Sequence, residues 1–310
     1  NASIDIGYEW DKLMEANTPI VGEPQAALDD LWTILFTSGT TGTPKGVMHS
    51  YRNPATVLRI EELTNFNGAL QMQQHKWFSF LPLNHVAERI GVEANCLANG
   101  GSISFAESID TFAANIRSVQ PSFIFAVPRI WTKFYQGVTD RLPAPLLKRL
   151  FKIPLLGALL KKLIRKAMGL SDIEIAGTGA AITPAYLKEW YQELGIHLVE
   201  AYGMTEVCGS ICNGPQLDAP SDSVGTAVPY CEVKIDSDSQ EILMKAPYQM
   251  KGYYKNPEKT GEVLKDGWIH SGDRGTIDEN GYVRVIGRVK DAFKTSKGQF
   301  IVPNPIEEQL

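Results

Sequence analysis

The chain has 310 residues, more than one compact domain usually contains, so two units or one large unit with an appendage are expected. Hydrophobic residues make up 44% and charged residues 21%, as in ordinary globular proteins. The formal net charge of −5 argues against a nucleic-acid-binding protein, which usually has a basic excess.

The cysteines and the apolar runs indicate the compartment. The four cysteines form no Cys-x-x-Cys pair and no zinc site, so free thiols in a reducing compartment are expected. No run reaches the roughly 18 apolar residues that span a bilayer. We therefore expect a cytoplasmic protein. Because the chain starts with Asn1 instead of Met, the lack of a signal peptide carries little weight.

The first informative stretch is a polar loop behind an apolar strand. Leu31–Phe36 predicts a strand, and Thr37–Gly46 follows it with the sequence Thr-Ser-Gly-Thr-Thr-Gly-Thr-Pro-Lys-Gly. Glycines let the backbone approach a ligand, while amides, hydroxyls and Lys45 can surround phosphate oxygens. A Walker loop would need Gly-Lys-Ser/Thr at its end, which is absent here. An ordinary polar turn is the simpler alternative.

Strand and helix patterns then alternate in the manner of a parallel α/β sheet. Predicted strands are 76–83, 101–106, 123–127, 173–176 and 197–200; predicted helices are 51–67, 109–119, 130–138 and 184–194. In the first of these helices, Val57, Leu58, Ile60 and Leu63 are expected to point inward. Another helix is expected to begin at His85, just beyond a strand. A lone histidine is often structural, but ligands bind open α/β sheets at this edge.

The segment Arg141–Leu170 contains eight basic residues and no acidic residue, interleaved with apolar ones. Pro154 and Gly157 divide it into two predicted amphipathic helices. Such helices can lie on an anionic membrane surface, here the inner face of a membrane. Alternatively, they form a lid whose apolar face packs on the domain while its lysines are solvated.

The pattern of apolar and polar residues changes near Ser221. Short alternating runs separated by turns predict a small antiparallel sheet or barrel. The predicted organisation is an α/β core over 1–220, an antiparallel β subdomain over 221–286, and a final segment over 287–310.

Four more motifs follow the loop at strand ends and turns: Gly179–Ala181, Glu200–Glu206, Trp268–Asp273 and Gly287–Asp291. Together with Thr37–Gly46, their order and spacing resemble the adenylate-forming (AMP-binding) superfamily. The resemblance covers about residues 30 to 310. It implies the large N-terminal α/β domain of that family, with mainly parallel sheets flanked by helices.

Individual residues of these motifs are also chemically suited to bind parts of a nucleotide. Tyr202 can stack on a purine ring, and Glu206 is a hard oxygen ligand for magnesium. The Thr205 hydroxyl can donate to the α-phosphate. Asp273 can accept hydrogen bonds from ribose hydroxyls, and Arg288 offers a fork of donors to ribose or phosphate.

The resemblance implies attack of a carboxylate on the α-phosphorus of ATP, giving acyl-AMP and pyrophosphate, followed by transfer to the thiol of coenzyme A. It implies catalytic roles for Lys45, His85, Thr205 and Glu206, and magnesium ligation by Glu206 and Thr41. The implied nucleotide-binding residues are Thr37, Ser38, Gly39, Thr40, Thr41, Gly42, Thr43, Lys45, Gly179, Ala180, Ala181, Ala201, Tyr202, Gly203, Met204, Thr205, Asp273, Arg288 and Lys290.

Three segments look like the long-chain fatty acyl-CoA synthetase branch: Phe80–Arg89, Val127–Trp131 and Phe293–Pro303. The expected partners are thus a fatty acid, ATP and coenzyme A, in lipid metabolism. Transfer to a carrier protein, and a non-catalytic nucleotide-binding homologue, remain alternatives.

The chain departs from the family in length. Family members exceed five hundred residues, so we expect a piece of a longer protein, without the region that precedes the phosphate loop in the family and without the lid that follows the hinge at Lys290. Gln240 stands where the family commonly has glycine. We therefore expect this piece to bind nucleotide better than it turns over.

Overall fold

The structure is a computed structural model that describes residues 10–18, 21–23, 25–37, 44–214, 219–291, 293–294 and 300–301. Six predicted nucleotide-loop residues lie outside the described residues: Ser38, Gly39, Thr40, Thr41, Gly42 and Thr43. The magnesium prediction for Thr41 and most of the Phe293–Pro303 similarity lie outside them as well.

The secondary structure of the described residues is as follows. The strands are β1 (Leu31–Thr37), β2 (Lys45–Ser50), β3 (Lys76–Ser79), β4 (Ser102–Phe105), β5 (Phe123–Ala126), β6 (Ile175–Gly179), β7 (Leu198–Met204), β8 (Gly209–Asn213), β9 (Thr226–Ala227), β10 (Glu232–Ile235), β11 (Glu241–Lys245), β12 (Gly252–Tyr253), β13 (Leu264–Lys265), β14 (Trp268–Ile277), β15 (Val283–Arg288), β16 (Phe293–Lys294) and β17 (Phe300–Ile301). The α-helices are α1 (Trp10–Ala16), α2 (Arg52–Thr64), α3 (Asn95–Ala98), α4 (Phe112–Val119), α5 (Pro128–Thr139), α6 (Ala144–Leu150), α7 (Leu156–Met168), α8 (Ala185–Glu193) and α9 (Pro257–Val263). A π-helix spans Ala87–Ala94, and 3₁₀ turns span Ala69–Gln71 and Thr205–Val207.

The central sheet runs in the order β4-β3-β5-β6-β7-β8-β9 across the described residues. Strands β3 to β7 are parallel to their neighbours, and β8 and β9 are added antiparallel. Helices connect the parallel strands, because a parallel pair needs a crossover. The predicted α/β class with a mainly parallel sheet is confirmed.

Alternating side chains of the central strands face two different cores. In β5, Ile124 and Ala126 belong to a cluster beneath α4, α5, α7 and α8, whereas Phe123 belongs to a cluster on the opposite face. Ala176 and Ile175 in β6 divide in the same way. Because successive strand residues point to opposite faces, these short apolar runs can fill both cores. One face thus carries a helical layer, and the other faces the site.

The polar loop is bracketed by a hairpin. Thr37 at the end of β1 pairs with Lys45 at the start of β2, and β12 adds to the other edge of β2. Sequence reasoning predicted β1 but not β2, because Lys45–Ser50 contains a lysine, a histidine and a serine among its apolar residues. The pairing of β1, β2 and β12 therefore holds both ends of the loop close to Tyr253.

The antiparallel sheet contains β10, β11 and β14, with β13 and β15 both beside β14. Among the described residues its outer strands do not pair with each other, so the sheet is open, where the sequence predicted a sheet or barrel. Strands β9 and β12 belong to the other sheets even though they lie in the same stretch of sequence. The boundaries at 220 and 286 remain predictions.

Several helices differ from their predicted form. The helix expected at His85 is a π-helix followed by α3, and Leu63 of α2, expected to point inward, is 55% exposed. The segment Arg141–Leu170 forms two helices, α6 and α7. In the described part of the chain, no helix has the length and apolar character required to cross a bilayer.

Candidate functional site

A cavity of about 920 Å³ lies where the carboxyl ends of the central strands meet the antiparallel sheet. Ala180 and Ala201 line it from the strand ends, and His270 and Gly272 line it from β14. The predicted site residues among its lining are Thr37, Lys45, His85, Ala180, Ala201, Gly203, Met204, Thr205, Glu206, Arg288 and Lys290. Motifs that are far apart in the sequence therefore converge at the sheet edge where open α/β folds bind ligands.

Four predicted residues are not part of the lining: Gly179, Ala181, Tyr202 and Asp273. The Tyr202 hydroxyl donates to Oδ2 of Asp273 at 2.8 Å, and Arg288 Nη1 lies 3.0 Å from Oδ1. Both carboxylate oxygens are thus engaged, and burial raises the pKa of Asp273 despite the nearby guanidinium. The structure brings these three predicted residues together as one hydrogen-bonded group at the edge of the cavity.

Two motif glycines are required by close backbone packing. A Cβ atom at Gly179 would lie 2.4 Å from the carbonyl oxygen of Ala201, and one at Gly203 would lie 1.9 Å from that of Gly209. Ala180, which follows Gly179, has a φ of 63°, a left-handed conformation that is uncommon for a residue with a side chain. Such strain is often found at ligand sites.

The turn at Thr205–Val207 is held from two neighbouring segments. His49 Nε2 on β2 donates to the carbonyl oxygen of Thr205 at 2.8 Å, and the Met250 amide donates to that of Glu206 at 2.7 Å. The Tyr253 hydroxyl donates to Oε1 of Glu206 at 2.5 Å. These contacts fix the carboxylate of Glu206, which is buried but lines the cavity.

Cationic side chains line the same cavity as this carboxylate. Lys45, Lys259, Arg288 and Lys290 line the cavity, and the Lys45 ammonium lies 5.4 Å from the centroid of the Tyr253 ring. Burial and then Lys259 lower the pKa of Lys45, while Glu206 opposes the shift. Lys259 forms an ion pair with Glu262, which also lines the cavity, and a polyanion would relieve the remaining repulsion between Lys45 and Lys259.

Glu206 suits a magnesium ion whose other ligands come from elsewhere. In the described part of the chain Oε2 has no hydrogen-bond partner, and no group of three His, Cys, Asp or Glu residues could hold a metal. Magnesium usually binds through one or two carboxylates together with water and substrate phosphates. The donor set therefore fits magnesium bound together with a polyphosphate.

His85 has both a structural contact and a place at the cavity. Its Nδ1 accepts a hydrogen bond at 3.2 Å from the amide of Ala87, the first residue of the π-helix. Ile90 and Gly91 of that π-helix also line the cavity. Because π-helices are rare and are frequently found at functional sites, this wall of the cavity is a candidate substrate surface.

Much of the remaining lining is apolar. Its larger apolar side chains include Val57, Phe66, Trp77, Val86, Ile90, Phe123, Phe125, Ile175 and Val199. Trp77 and Phe123 pack with ring centroids 4.1 Å apart, and both belong to the same core cluster as Ile175. The cavity therefore combines a charged region with an apolar region, as expected for a ligand that has both.

The comparisons with known proteins agree with this geometry. A family model described as AMP-binding enzyme matches residues 5–254. The chain belongs to the AMP-binding enzyme family.

Curated relatives in the AMP-binding family include long chain acyl-CoA synthetase 4 of Arabidopsis thaliana, which is 28% identical over 97% of this chain and 50% of its own length. Long-chain-fatty-acid–CoA ligase 5 of Mus musculus is 32% identical over 90% of the chain and 45% of its own length. The chain therefore spans about half the length of the curated relatives it matches.

Solved AMP-binding structures support the fold. O-succinylbenzoate coenzyme A synthetase (MenE) from Bacillus subtilis in complex with AMP gives a TM-score of 0.74 at 25% identity, covering 96% of this chain and 57% of its own. The anthranilate CoA ligase AuaEII in complex with anthranoyl-AMP gives a TM-score of 0.76 at 18% identity, covering 99% and 57%.

Sequence reasoning missed three residues of this candidate site: His49, Tyr253 and Lys259. His49 lies in the unpredicted strand β2, and the other two lie in a polar segment that resembles an ordinary surface loop. Asn256 provides the one local signal, because its side chain accepts from the Lys259 amide and caps α9. That cap predicts a helix start, but it does not show that the helix faces a cavity.

His49 makes the stability of this region depend on pH. Burial lowers the pKa of His49 to about 4, so the folded chain keeps the ring neutral while the unfolded chain protonates it below about 6.5. Its stabilising contribution is thus complete above pH 6.5 and is lost as the pH falls toward 4. Between pH 7 and 4.5 we expect the free energy of unfolding of the original chain to fall by about 2 to 3 kcal/mol more than that of His49→Gln. Urea unfolding at both pH values measures this difference, and equal losses in both proteins would contradict it.

Proposed function

We propose that this chain is the nucleotide- and acid-binding part of an enzyme that activates a carboxylic acid with ATP and transfers the acyl group to coenzyme A. The observation that supports the proposal best is the single cavity shared by the charged motif residues and the apolar side chains. A nucleotide in the charged region would place its α-phosphate near an acid whose apolar part lies beside Trp77 and Phe123. Because one cavity would hold the carboxylate and the phosphate side by side, their reaction would not require the entropy loss of bringing two free molecules together.

In the proposed first step, a carboxylate oxygen of the acid attacks the α-phosphorus of ATP and pyrophosphate leaves. Lys45 and Lys259 would stabilise the negative charge that develops on the leaving pyrophosphate. Thr205 would donate to the α-phosphate, and Asp273 with Arg288 would hold the ribose. Magnesium held by Glu206 and the triphosphate would neutralise part of the phosphate charge. In the second step the thiol of coenzyme A displaces AMP.

The proposed acid is a long-chain fatty acid. The names of the curated relatives and the apolar lining support this choice. An aromatic acid is the second candidate, because MenE, which is 25% identical, is named for o-succinylbenzoate, an aromatic acid. Rates of pyrophosphate exchange with acids of increasing chain length and with aromatic acids, measured in a protein of the relatives' full length, distinguish the two.

The role of Glu206 can be tested with two variants of that full-length protein. Glu206→Ala removes the carboxylate, whereas Glu206→Gln keeps an acceptor for Tyr253 and removes only the charge. We expect both to lower magnesium-dependent pyrophosphate exchange about a hundredfold or more. If Glu206→Gln were to retain near-normal exchange, Glu206 would be structural and the proposed magnesium role would be wrong.

Gly91 offers a test of the acyl pocket. It lines the cavity, and a Cβ atom placed there would meet nothing within 4 Å. We expect Gly91→Phe to narrow the apolar region and to raise KM for long-chain acids about tenfold or more, while AMP affinity stays unchanged.

The matched control is Gly137→Phe on α5, an exposed position that is equally open and does not line the cavity. It should leave both quantities unchanged. An unaltered KM for long-chain acids in Gly91→Phe would place the acyl chain elsewhere.

A further inference from the structure

Helix α7 leaves a row of leucines uncovered. Its inner face packs into the core through Ile164 and Met168, which are buried. Its outer face, together with Leu155 just before the helix, carries leucines with large exposed fractions: Leu155 87%, Leu156 47%, Leu159 56% and Leu163 54%. Packing against the domain therefore accounts for one face of the helix and leaves the other unexplained. Single exposed leucines are ordinary, but a row along one helix face is not.

Basic side chains border the leucine row. Lys162 and Lys166 lie on the same exposed face, and Arg149 and Lys152 are exposed just before α7. Among the described residues these four form no ion pair, whereas Lys148 pairs with Glu193 at 3.0 Å. Arg165 is occupied by the backbone carbonyls of Leu170 and Ser171. The row and its unpaired cations form what we call the α7 outer face: Arg149, Lys152, Leu155, Leu156, Leu159, Lys162, Leu163 and Lys166.

We propose that the α7 outer face docks on an anionic lipid membrane. A helix with leucines on one side and lysines next to them lies in the interface of a bilayer, where the leucines enter the acyl boundary and the ammonium groups reach the headgroups. The segment Arg141–Leu170 has no acidic residue that would be repelled by the headgroups. Protein-binding surfaces are depleted in lysine and enriched in aromatic residues and arginine. The lysine–leucine composition thus favours lipid over a protein partner.

The α7 outer face lies away from the cavity. Helix α7 packs on the helical layer of the central sheet, and within the described residues neither α6 nor α7 contributes to the lining of the cavity. Docking through the α7 outer face would therefore hold the protein at a membrane without closing the site. The proposal does not depend on which acid the site binds.

Vesicle co-sedimentation of the full 310-residue chain tests the proposal. We expect binding to vesicles of phosphatidylcholine with phosphatidylglycerol, weaker binding at high salt, and none to phosphatidylcholine alone. Lys162→Glu with Lys166→Glu should weaken binding about twentyfold or more. Leu159→Gln with Leu163→Gln should weaken it about tenfold, because less apolar surface enters the bilayer.

Matched control pairs carry the same changes on exposed residues elsewhere. Lys255→Glu with Lys265→Glu alters the charge equally, and Leu63→Gln with Leu97→Gln removes equivalent apolar groups. Both control pairs should bind like the original chain, and circular dichroism verifies that every variant folds. The proposal is overturned if the folded chain ignores anionic vesicles, if it binds only an acidic polypeptide, or if the control pairs lose binding as strongly as the α7 pairs.

Discussion

The site depends on one turn, Thr205–Val207, being held in place by segments from a different sheet. His49 on β2 fixes the carbonyl of Thr205, and Tyr253 on β12 fixes the carboxylate of Glu206. Since β2 also pairs with β1 across the polar loop, the same hairpin sets the ends of that loop and the turn opposite them. The hydrogen bond from the buried, neutral His49 is therefore a constraint on the whole charged region.

The charged region of the cavity brings cationic side chains close together and has a rigid backbone. Lys45 and Lys259 face one cavity, where Glu206 and Glu262 offset part of their mutual repulsion and Lys259 forms an ion pair with Glu262. The strained φ of Ala180 and the close backbone contacts at Gly179 and Gly203 add a rigid floor to the same region. A rigid pocket lined by both cationic side chains and carboxylates is preorganised for a polyphosphate bound together with a metal ion, since little reorganisation is needed when the ligand arrives. The function that we propose uses that preorganisation.

The sequence predicted the α/β class, the central strands and the motif residues at their ends, because short apolar runs and polar strand ends are local signals. It did not predict β2 or the cavity face of α9, since His49 and Lys259 have no local feature that separates them from surface residues. Leu63 was expected inside and is exposed, because helical spacing cannot specify how wide the buried stripe is. For the segment Arg141–Leu170 the sequence left two readings open, and the structure shows a packed inner face together with an exposed outer one.

The central claim is that one cavity holds the nucleotide and the acid together. Calorimetry of the chain with an acyl-sulfamoyl adenosine, a stable mimic of acyl-AMP, tests it most directly when compared with AMP and with the free acid. We expect the joined ligand to bind at least about a hundredfold more tightly than AMP, because both regions are filled at one entropic cost. Equal affinities for the mimic and for AMP would contradict a shared cavity.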